Sequence, residues 1–189
     1  MSDFTMVATA PLDGYAKDFD GVSLAEITNR AIISIATPAG GEAHLAKAVK
    51  SAFGTTLPNI GGSQSSTFSN GQFLGLQQGQ TFFVFEHDAP NALEIVAEQL
   101  KDAAYLSDQT DSFVMLTISG KNARLALERI CLIDLHPDAF SIGRVARTSM
   151  EHLSVIIKRT DEDTFFLMSP RSSALSFLHV LETSIHNVT

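Results

Sequence analysis

At 189 residues, 44% hydrophobic and 18% charged, the chain is long enough for one domain with a full core and too apolar to stay disordered. Its formal net charge of -8 excludes a nucleic-acid partner, because a phosphate backbone is gripped by clustered Lys and Arg. Its single cysteine, Cys131, excludes an internal disulfide, and no membrane span is expected. The longest charge-free run, Ser51 to Phe85, is interrupted by six glycines and many Ser, Gln and Asn residues. The N-terminus carries Asp3 early and its first lysine only at Lys17, unlike a secretory signal, so a cytoplasmic chain is expected.

In chain order, residues 1–20 have no period and read as an N-terminal arm, with Phe4, Met6, Leu12, Tyr15 and Phe19 scattered through it. Val22 to Ile27 alternates as a half-buried strand, and Ala31 to Ala36 returns as a more buried one. Leu45, Val49 and Phe53 fall at i, i+4 and i+8, predicting a helix over Glu42–Phe53 that Gly54 ends. Thr55 to Gln72 has loop composition. Phe73–Gln77 and Thr81–Glu86 predict a hairpin, and Leu93, Val96, Ala97 and Leu100 the core stripe of a second helix. Phe113 to Ile118 is another strand, followed by Ser119-Gly120 as a turn with Ser119 as N-cap. Ala123, Ala126, Leu127, Ile130 and Cys131 then predict a helix that runs toward Pro137. Beyond it, Leu153–Ile157 and Thr164–Met168 read as strands. Ser172 or Ser173 caps a last helix that faces Leu175, Leu178, Leu181 and Ile185 inward.

The pattern echoes itself: Thr81 and Thr164 open similar aromatic strands 83 residues apart, and Gly41 and Gly120 precede helices 79 residues apart. This predicts an α+β fold, a mixed and mostly antiparallel sheet with helices packed on it. It would be a single domain of two similar halves, about 21–105 and 106–189, built from duplicated strand–helix–hairpin–helix units.

The stretch Cys131-Leu132-Ile133-Asp134-Leu135-His136-Pro137-Asp138-Ala139-Phe140 resembles the C-x-x-D-L-H-P-x-x-F signature of the sarcosine oxidase gamma subunit family. Ser119-Gly120-Lys121-Asn122-Ala123-Arg124 resembles its S-G-P-x-A-R turn, which recurs in the folate-binding domain of the glycine-cleavage aminomethyltransferase. Gly21-Val22-Ser23-Leu24-Ala25-Glu26-Ile27 is similar to the opening G-V-x-L-x-E-I strand of the family. The departures are Lys121, where the family usually has proline, and the hairpin around Phe73, where a tryptophan is expected and the chain has none. The similarity spans roughly residues 21 to 186. It implies the folate-binding-domain fold and the non-catalytic gamma subunit of a heterotetramer whose alpha, beta and delta subunits are the partners. FAD, FMN, NAD and tetrahydrofolate are implied for those other subunits, and no cofactor for this chain. The complex would oxidise sarcosine to glycine, forming hydrogen peroxide and passing a one-carbon unit to tetrahydrofolate. The alternative reading is a stand-alone folate-dependent aminomethyltransferase-like or tRNA-modifying protein, which needs a ligand-gripping acid in a central cavity.

The residues themselves offer little chemistry. There is no P-loop and no Gly-x-Gly at a strand-to-helix turn, so no dinucleotide site is expected. No H-x-x-x-H or cysteine pair points to a metal. His136, two residues after Asp134, is the best catalytic candidate by position, but both side chains are better read as fixing the turn. Cys131 is read as a core residue. The family signature, Ser119, Gly120, Arg124, Cys131, Asp134, Leu135, His136, Pro137 and Phe140, is therefore structural. Residues 118–160 carry seven Lys/Arg against four Asp/Glu. This is a solvated basic face or, on the sharper reading, a docking surface for an acidic subunit built from Arg144, Arg147, Lys158 and Arg159. Charge depletion from Ser51 to Phe85 adds Ile60, Phe68 and Phe73 as expected interface residues.

Overall fold

The computed structural model describes residues 9–189; Phe4 and Met6 of the expected arm lie outside them. The chain runs β1 (Ala16–Phe19), β2 (Val22–Glu26), β3 (Arg30–Ala36), α1 (Glu42–Phe53), β4 (Ser63–Ser65), β5 (Gln72–Gln77), β6 (Gln80–Glu86) and α2 (Ala92–Leu100). It continues through β7 (Tyr105–Asp108), β8 (Phe113–Ser119), α3 (Ala123–Glu128), β9 (Val145–Met150), β10 (Leu153–Asp161), β11 (Thr164–Pro170) and α4 (Ala174–His186).

The α+β class and the antiparallel pairing are as expected, but the strands form two sheets where one was anticipated. A six-stranded sheet has the order β1-β2-β8-β11-β10-β9, and a five-stranded sheet has β4-β5-β6-β3-β7. The sheets face each other, and each carries two helices on its outer side. The alternation of β6 makes this concrete: Phe83 and Phe85 pack with Leu45, Val49 and Phe53 of α1 and Val96 of α2. Phe82 and Val84 instead meet Met115, Ile156, Phe166 and Met168 of the other sheet. On β11, Phe165 and Leu167 turn to α3 and α4 in the same way, with Phe177 and Leu181 among their neighbours. A strand buried on both faces reads as an unbroken apolar run, so Thr81–Phe85 and Thr164–Met168 carried no sign of a second sheet.

The four strands absent from the sequence reading, β1, β4, β7 and β9, are the outer strands of the two sheets. An edge strand has one hydrogen-bonded neighbour and a largely wet face, so it needs no apolar alternation. With β1 inside a sheet, residues 9–20 are part of the fold rather than a separate arm. Glu26 accepts the backbone N–H groups of Leu12 (3.0 Å) and Gly14 (2.8 Å). Tyr15 Oη donates to Glu182 on α4 at 2.7 Å, and Lys17 Nζ reaches the same oxygen at 3.1 Å. Burial, followed by the bond to Glu182, holds the Tyr15 phenol above its ordinary range.

Two helices differ from their expected form. α3 ends at Glu128: Ile130 N bonds Leu127 O at 3.1 Å, the i→i−3 bond of a tightened last turn, and Cys131 then bridges Met150 of β9. Pairing with a strand overrides a helical spacing. α4 buries Ala174, Phe177, Leu181, Ser184 and Ile185, leaving Leu178 half-buried and Leu175 74% exposed. Its apolar residues outline two neighbouring stripes, and the one carrying the large Phe177 ring takes the core. Neither Ser119 nor Ser173 caps a helix through its side chain: Ser119 is the last residue of β8, and Ser173 stands at the N-cap without a side-chain bond.

Read from β9 and from β4, the sheets have similar orders, β9-β10-β11-β8-β2 with β1 as an additional edge strand, and β4-β5-β6-β3-β7. We propose that a duplicated unit underlies both, which superposing residues 31–105 on 112–187 tests. In that case β2 and β7 have changed places, each pairing in the sheet of the other half.

The Ser119-Gly120 turn packs directly on the Gly21 turn. Gly120 has φ +112, a Cβ there would stand 2.5 Å from the Gly21 carbonyl oxygen, and Asn122 N bonds that oxygen at 3.1 Å. Gly40, at φ +72, has nothing within 4 Å of such a Cβ. Gly120→Ala is therefore expected to lower unfolding free energy by about 3 kcal/mol, against about 1 kcal/mol for Gly40→Ala, where strain acts alone. Denaturant melts of both variants check this, and equal losses would show that the Gly21 contact is irrelevant.

Candidate functional site

The signature segment after α3 folds as a loop against β9 and the end of β10. Leu135 and Phe140 are buried in the core of the six-stranded sheet and its helices, while Asp134 and His136 are exposed. Asp134 Oδ1 accepts the His136 N–H at 2.8 Å, the local side-chain bond that short acidic residues make in turns. His136 O accepts Ala139 N at 2.9 Å and Phe140 N at 2.8 Å, with Pro137 at the turn between them. His136 Nδ1 accepts the Asp138 N–H at 3.4 Å and lies 3.5 Å from the Asp138 carboxylate. One oxygen of Asp134 and one ring nitrogen of His136 are thus engaged within the motif itself, although the helix they were expected to close has already ended. Arg124 pairs with Glu128 at 2.6 Å, one turn along α3. Cys131 is half-buried, and burial pushes its thiol above the ordinary range, which keeps it protonated and a poor nucleophile at neutral pH.

What locks this loop to the sheet is Arg159, expected from the sequence on a solvated basic face or, on the sharper reading, a docking surface. It is 3% exposed. Nη1 donates to Phe140 O at 3.1 Å, Nε donates to Asp161 O at 3.3 Å, and Nη2 donates to Glu162 O. The guanidinium also lies over the Phe165 ring at 5.7 Å. Among the described residues no carboxylate comes within 4 Å of it, so three carbonyl dipoles and a ring face carry the compensation. Lys158 leaves the docking surface as well. It is 8% exposed and its ammonium meets Gln72 Oε1 across the seam between the sheets. Burial, with Arg30 as the second cause, lowers its pKa. Neighbours on β10 turn to opposite faces, and both faces are covered, so neither cation reaches solvent.

The expected interface residues divide. Phe73 is a core residue, stacked on Phe83 at 4.4 Å and edge-on to Phe53 at 5.4 Å, and this corrects its assignment to a subunit contact. Phe68 is half-buried against the same rings. Depletion of charge marks a core as readily as an interface, and here the phenylalanines belong to the core. Ile60 is 61% exposed, and Arg144 and Arg147 are also exposed, with no carboxylate within 4 Å among the described residues. The structure brings Ile60 and Arg144 together: Val145 N donates to Gly61 O at 2.9 Å, and Ser63 Oγ donates to Gly143 O at 2.8 Å.

Among the acids of the described residues only Glu26, Glu86 and Glu182 are not exposed, and each is engaged within the chain. Glu26 is taken by the Leu12 and Gly14 amides, Glu86 by Arg30 at 3.1 Å and Asn70 at 2.8 Å, and Glu182 by Tyr15 and Lys17. A hollow of about 530 Å³ beside Glu26 and Arg30 is also lined by Arg171, which is bound to Thr9 O at 2.7 Å. No three His, Cys, Asp or Glu residues among those described converge as a metal site would require. No described helix is long and apolar enough to cross a membrane.

Arg159→Met is expected to cost about 3 kcal/mol, since it leaves three carbonyls short of a donor, and Arg159→Lys recovers little because one ammonium cannot fork to all three. Urea melts of both variants test this; a lysine variant as stable as the parent would refute the carbonyl-fork account.

Comparison with known proteins gives one consistent answer. The model of the sarcosine oxidase gamma subunit family matches residues 38–186. The sarcosine oxidase subunit gamma of Corynebacterium sp. (strain P-1) is 31% identical over 134 residues, covering 71% of this chain and 64% of that protein. The match thus spans less than two thirds of that relative's length. The same subunit of an Arthrobacter species is 27% identical over 147 residues, 78% of this chain and 71% of the relative. Among solved structures, a chain of the heterotetrameric sarcosine oxidase from Corynebacterium sp. U-96, in complex with pyrrole 2-carboxylate, superposes with TM-score 0.80. It is 22% identical and the match covers 96% of each chain. The glycine cleavage system aminomethyltransferase T from Bartonella henselae gives 0.69 at 17% identity, over 93% of this chain and 57% of that one. At these identities both superpositions speak to fold.

Proposed function

The chain belongs to the sarcosine oxidase gamma subunit family, and from that premise we propose that it is the non-catalytic gamma subunit of a heterotetrameric sarcosine oxidase. In this reading the alpha, beta and delta subunits carry FAD, FMN, NAD and the tetrahydrofolate site. They demethylate sarcosine to glycine, forming hydrogen peroxide and passing the one-carbon unit to tetrahydrofolate. The present chain, in the cytoplasm, supplies a rigid body on which they assemble. The observation that carries this reading is the use made of the family signature. Asp134 and His136 bond their own turn, Leu135 and Phe140 are buried, and Arg159 pins the loop to the sheet. A residue that donates or takes a proton in a reaction must instead face the reacting atoms.

In the assembled complex, His136→Ala is expected to keep its rate per flavin within about twofold while lowering subunit recovery, because it removes only a turn-fixing bond. A loss of roughly a hundredfold in assembled enzyme, the size expected on removing a general acid or base, would assign this subunit a part in the chemistry.

Ile60, Arg144 and Arg147 are our proposed contact with an acidic surface of a neighbouring subunit: an exposed apolar side chain and two exposed cations that have no carboxylate within 4 Å among the described residues. Hydrogen exchange should slow across residues 59–63 and 141–147 on going from the free chain to the complex. Equal rates in both states would remove the contact from this face.

A further inference from the structure

Asn70 is the one asparagine of the chain that is followed by glycine. The pair closes a tight turn: Gly71 N donates to Phe68 O at 2.8 Å, and Ser69 and Asn70 between them have φ +45 and +47. Positive φ at both central residues is the mark of a type I′ turn, where asparagine is favoured. Gly71 is required for a different reason. A Cβ there would stand 2.5 Å from the Phe83 ring and 2.8 Å from Phe68 O. The fold thus calls for each residue separately, and side by side they make the dipeptide in which an asparagine is chemically most labile. Glycine has no Cβ to crowd the approach of its nitrogen to the preceding side chain, and its backbone takes up ring geometry freely.

In that reaction Gly71 N attacks Asn70 Cγ. An N–Cγ bond forms, the Cγ–Nδ2 bond breaks, and ammonia leaves with the amide proton of Gly71. Water then opens the cyclic imide, at Cγ to give aspartate or at the main-chain carbonyl carbon to give isoaspartate. In the folded chain the atoms of the first step are held elsewhere. Gly71 is buried with its N–H on Phe68 O. Asn70 Nδ2 donates to Glu86 Oε2 at 2.8 Å, while Arg30 donates Nη1 to Asn70 O at 2.8 Å and Nη2 to Glu86 Oε1 at 3.1 Å. Ring closure must turn the Gly71 nitrogen toward Cγ and rotate the carboxamide, which gives up these contacts.

We propose that Asn70 is a modification site of this chain, converted to aspartate or isoaspartate when the 68–71 turn opens, with Glu86 and Arg30 as the latch that keeps it shut. Either product places a carboxylate where the Nδ2 donor faced Glu86, and like charges that close repel. Isoaspartate also adds a carbon to the main chain just before Gln72, whose Oε1 receives the Lys158 ammonium across the seam between the sheets. The conversion therefore loosens the joint of the two sheets, and it does so independently of the assembly reading.

The test is prolonged incubation of the full chain at mildly alkaline pH, folded in buffer and unfolded in urea, followed by peptide mass spectrometry and an isoaspartate assay. Conversion is expected at Asn70 ahead of the other asparagines. It should be on the order of a hundredfold slower in the folded chain, because several hydrogen bonds must be given up first. Glu86→Ala is expected to speed the folded chain about tenfold, and Asn70→Gly to abolish conversion at this position. The converted chain, separated by its added negative charge, should unfold at lower urea than the parent. Equal rates in the folded and unfolded parent would overturn the gate, and that comparison needs no variant to fold. A Glu86→Ala chain that folds and converts at the parent rate would overturn the latch. Earlier conversion of other asparagines, or none in the folded chain even in urea just below its transition, would overturn the site. A converted chain that melts with the parent would overturn the link to the seam.

Discussion

The two sheets meet through Ile32, Leu74, Phe82 and Val84 on one side and Met115, Ile156, Phe166 and Met168 on the other, and every other layer is placed by that seam. A fully buried aliphatic or aromatic side chain contributes on the order of 2 kcal/mol, so eight of them make a joint that local rearrangement cannot easily break. Because the inner faces are committed to each other, the outer faces must be covered by helices. That is why α1 and α2 lie over the five-stranded sheet and α3 and α4 over the six-stranded one. It is also why the strands between them, β6 and β11, carry apolar residues on both sides.

The polar groups near this joint have few solutions open to them. Lys158 emerges into the seam and meets Gln72 across it. A slipped packing of the sheets would leave that ammonium without a partner, at a cost far above that of a misplaced methyl group. Arg159, next along the strand, emerges on the opposite face and is satisfied by the carbonyls of Phe140, Asp161 and Glu162. One pair of consecutive cations therefore ties the sheets together on one side and the signature loop to the sheet on the other. The two cations and the signature loop thus serve to hold the sheets and the loop in one arrangement.

The chain's remaining resources for function lie on the surface. Among the described residues the large apolar side chains left in water are Ile60, Tyr105, Leu125, Leu132, Ile142 and Leu175, and Ile60 stands beside Arg144 where the β4 loop crosses to β9. With a net charge of -8 the chain repels an acidic body at a distance, so an acidic surface brought to Arg144 would gain attraction only at short range.

The sequence by itself determined the elements whose periodicity is strong. Leu45, Val49 and Phe53 define α1, and Phe113 to Ile118 and Thr164 to Met168 are strands in the structure. The motifs at 21–27, 119–124 and 131–140, in that order, carried the family resemblance, because short-range hydrogen bonds and apolar spacing are local properties written in neighbouring residues. Only the tertiary structure decided the rest. The edge strands β1, β4, β7 and β9 exist because another strand lies beside them. Cys131 leaves its helix because Met150 is there to pair with. Phe177 turns inward and Leu175 outward because one of two neighbouring stripes had to face the sheet. Arg159, Lys158 and Phe73 looked like surface from composition, yet they are buried, since a strand covered on both faces hides every residue it has. Whether a side chain meets water is a property of what stands opposite it, and that is settled by long-range packing rather than by the residue's own neighbours in the chain.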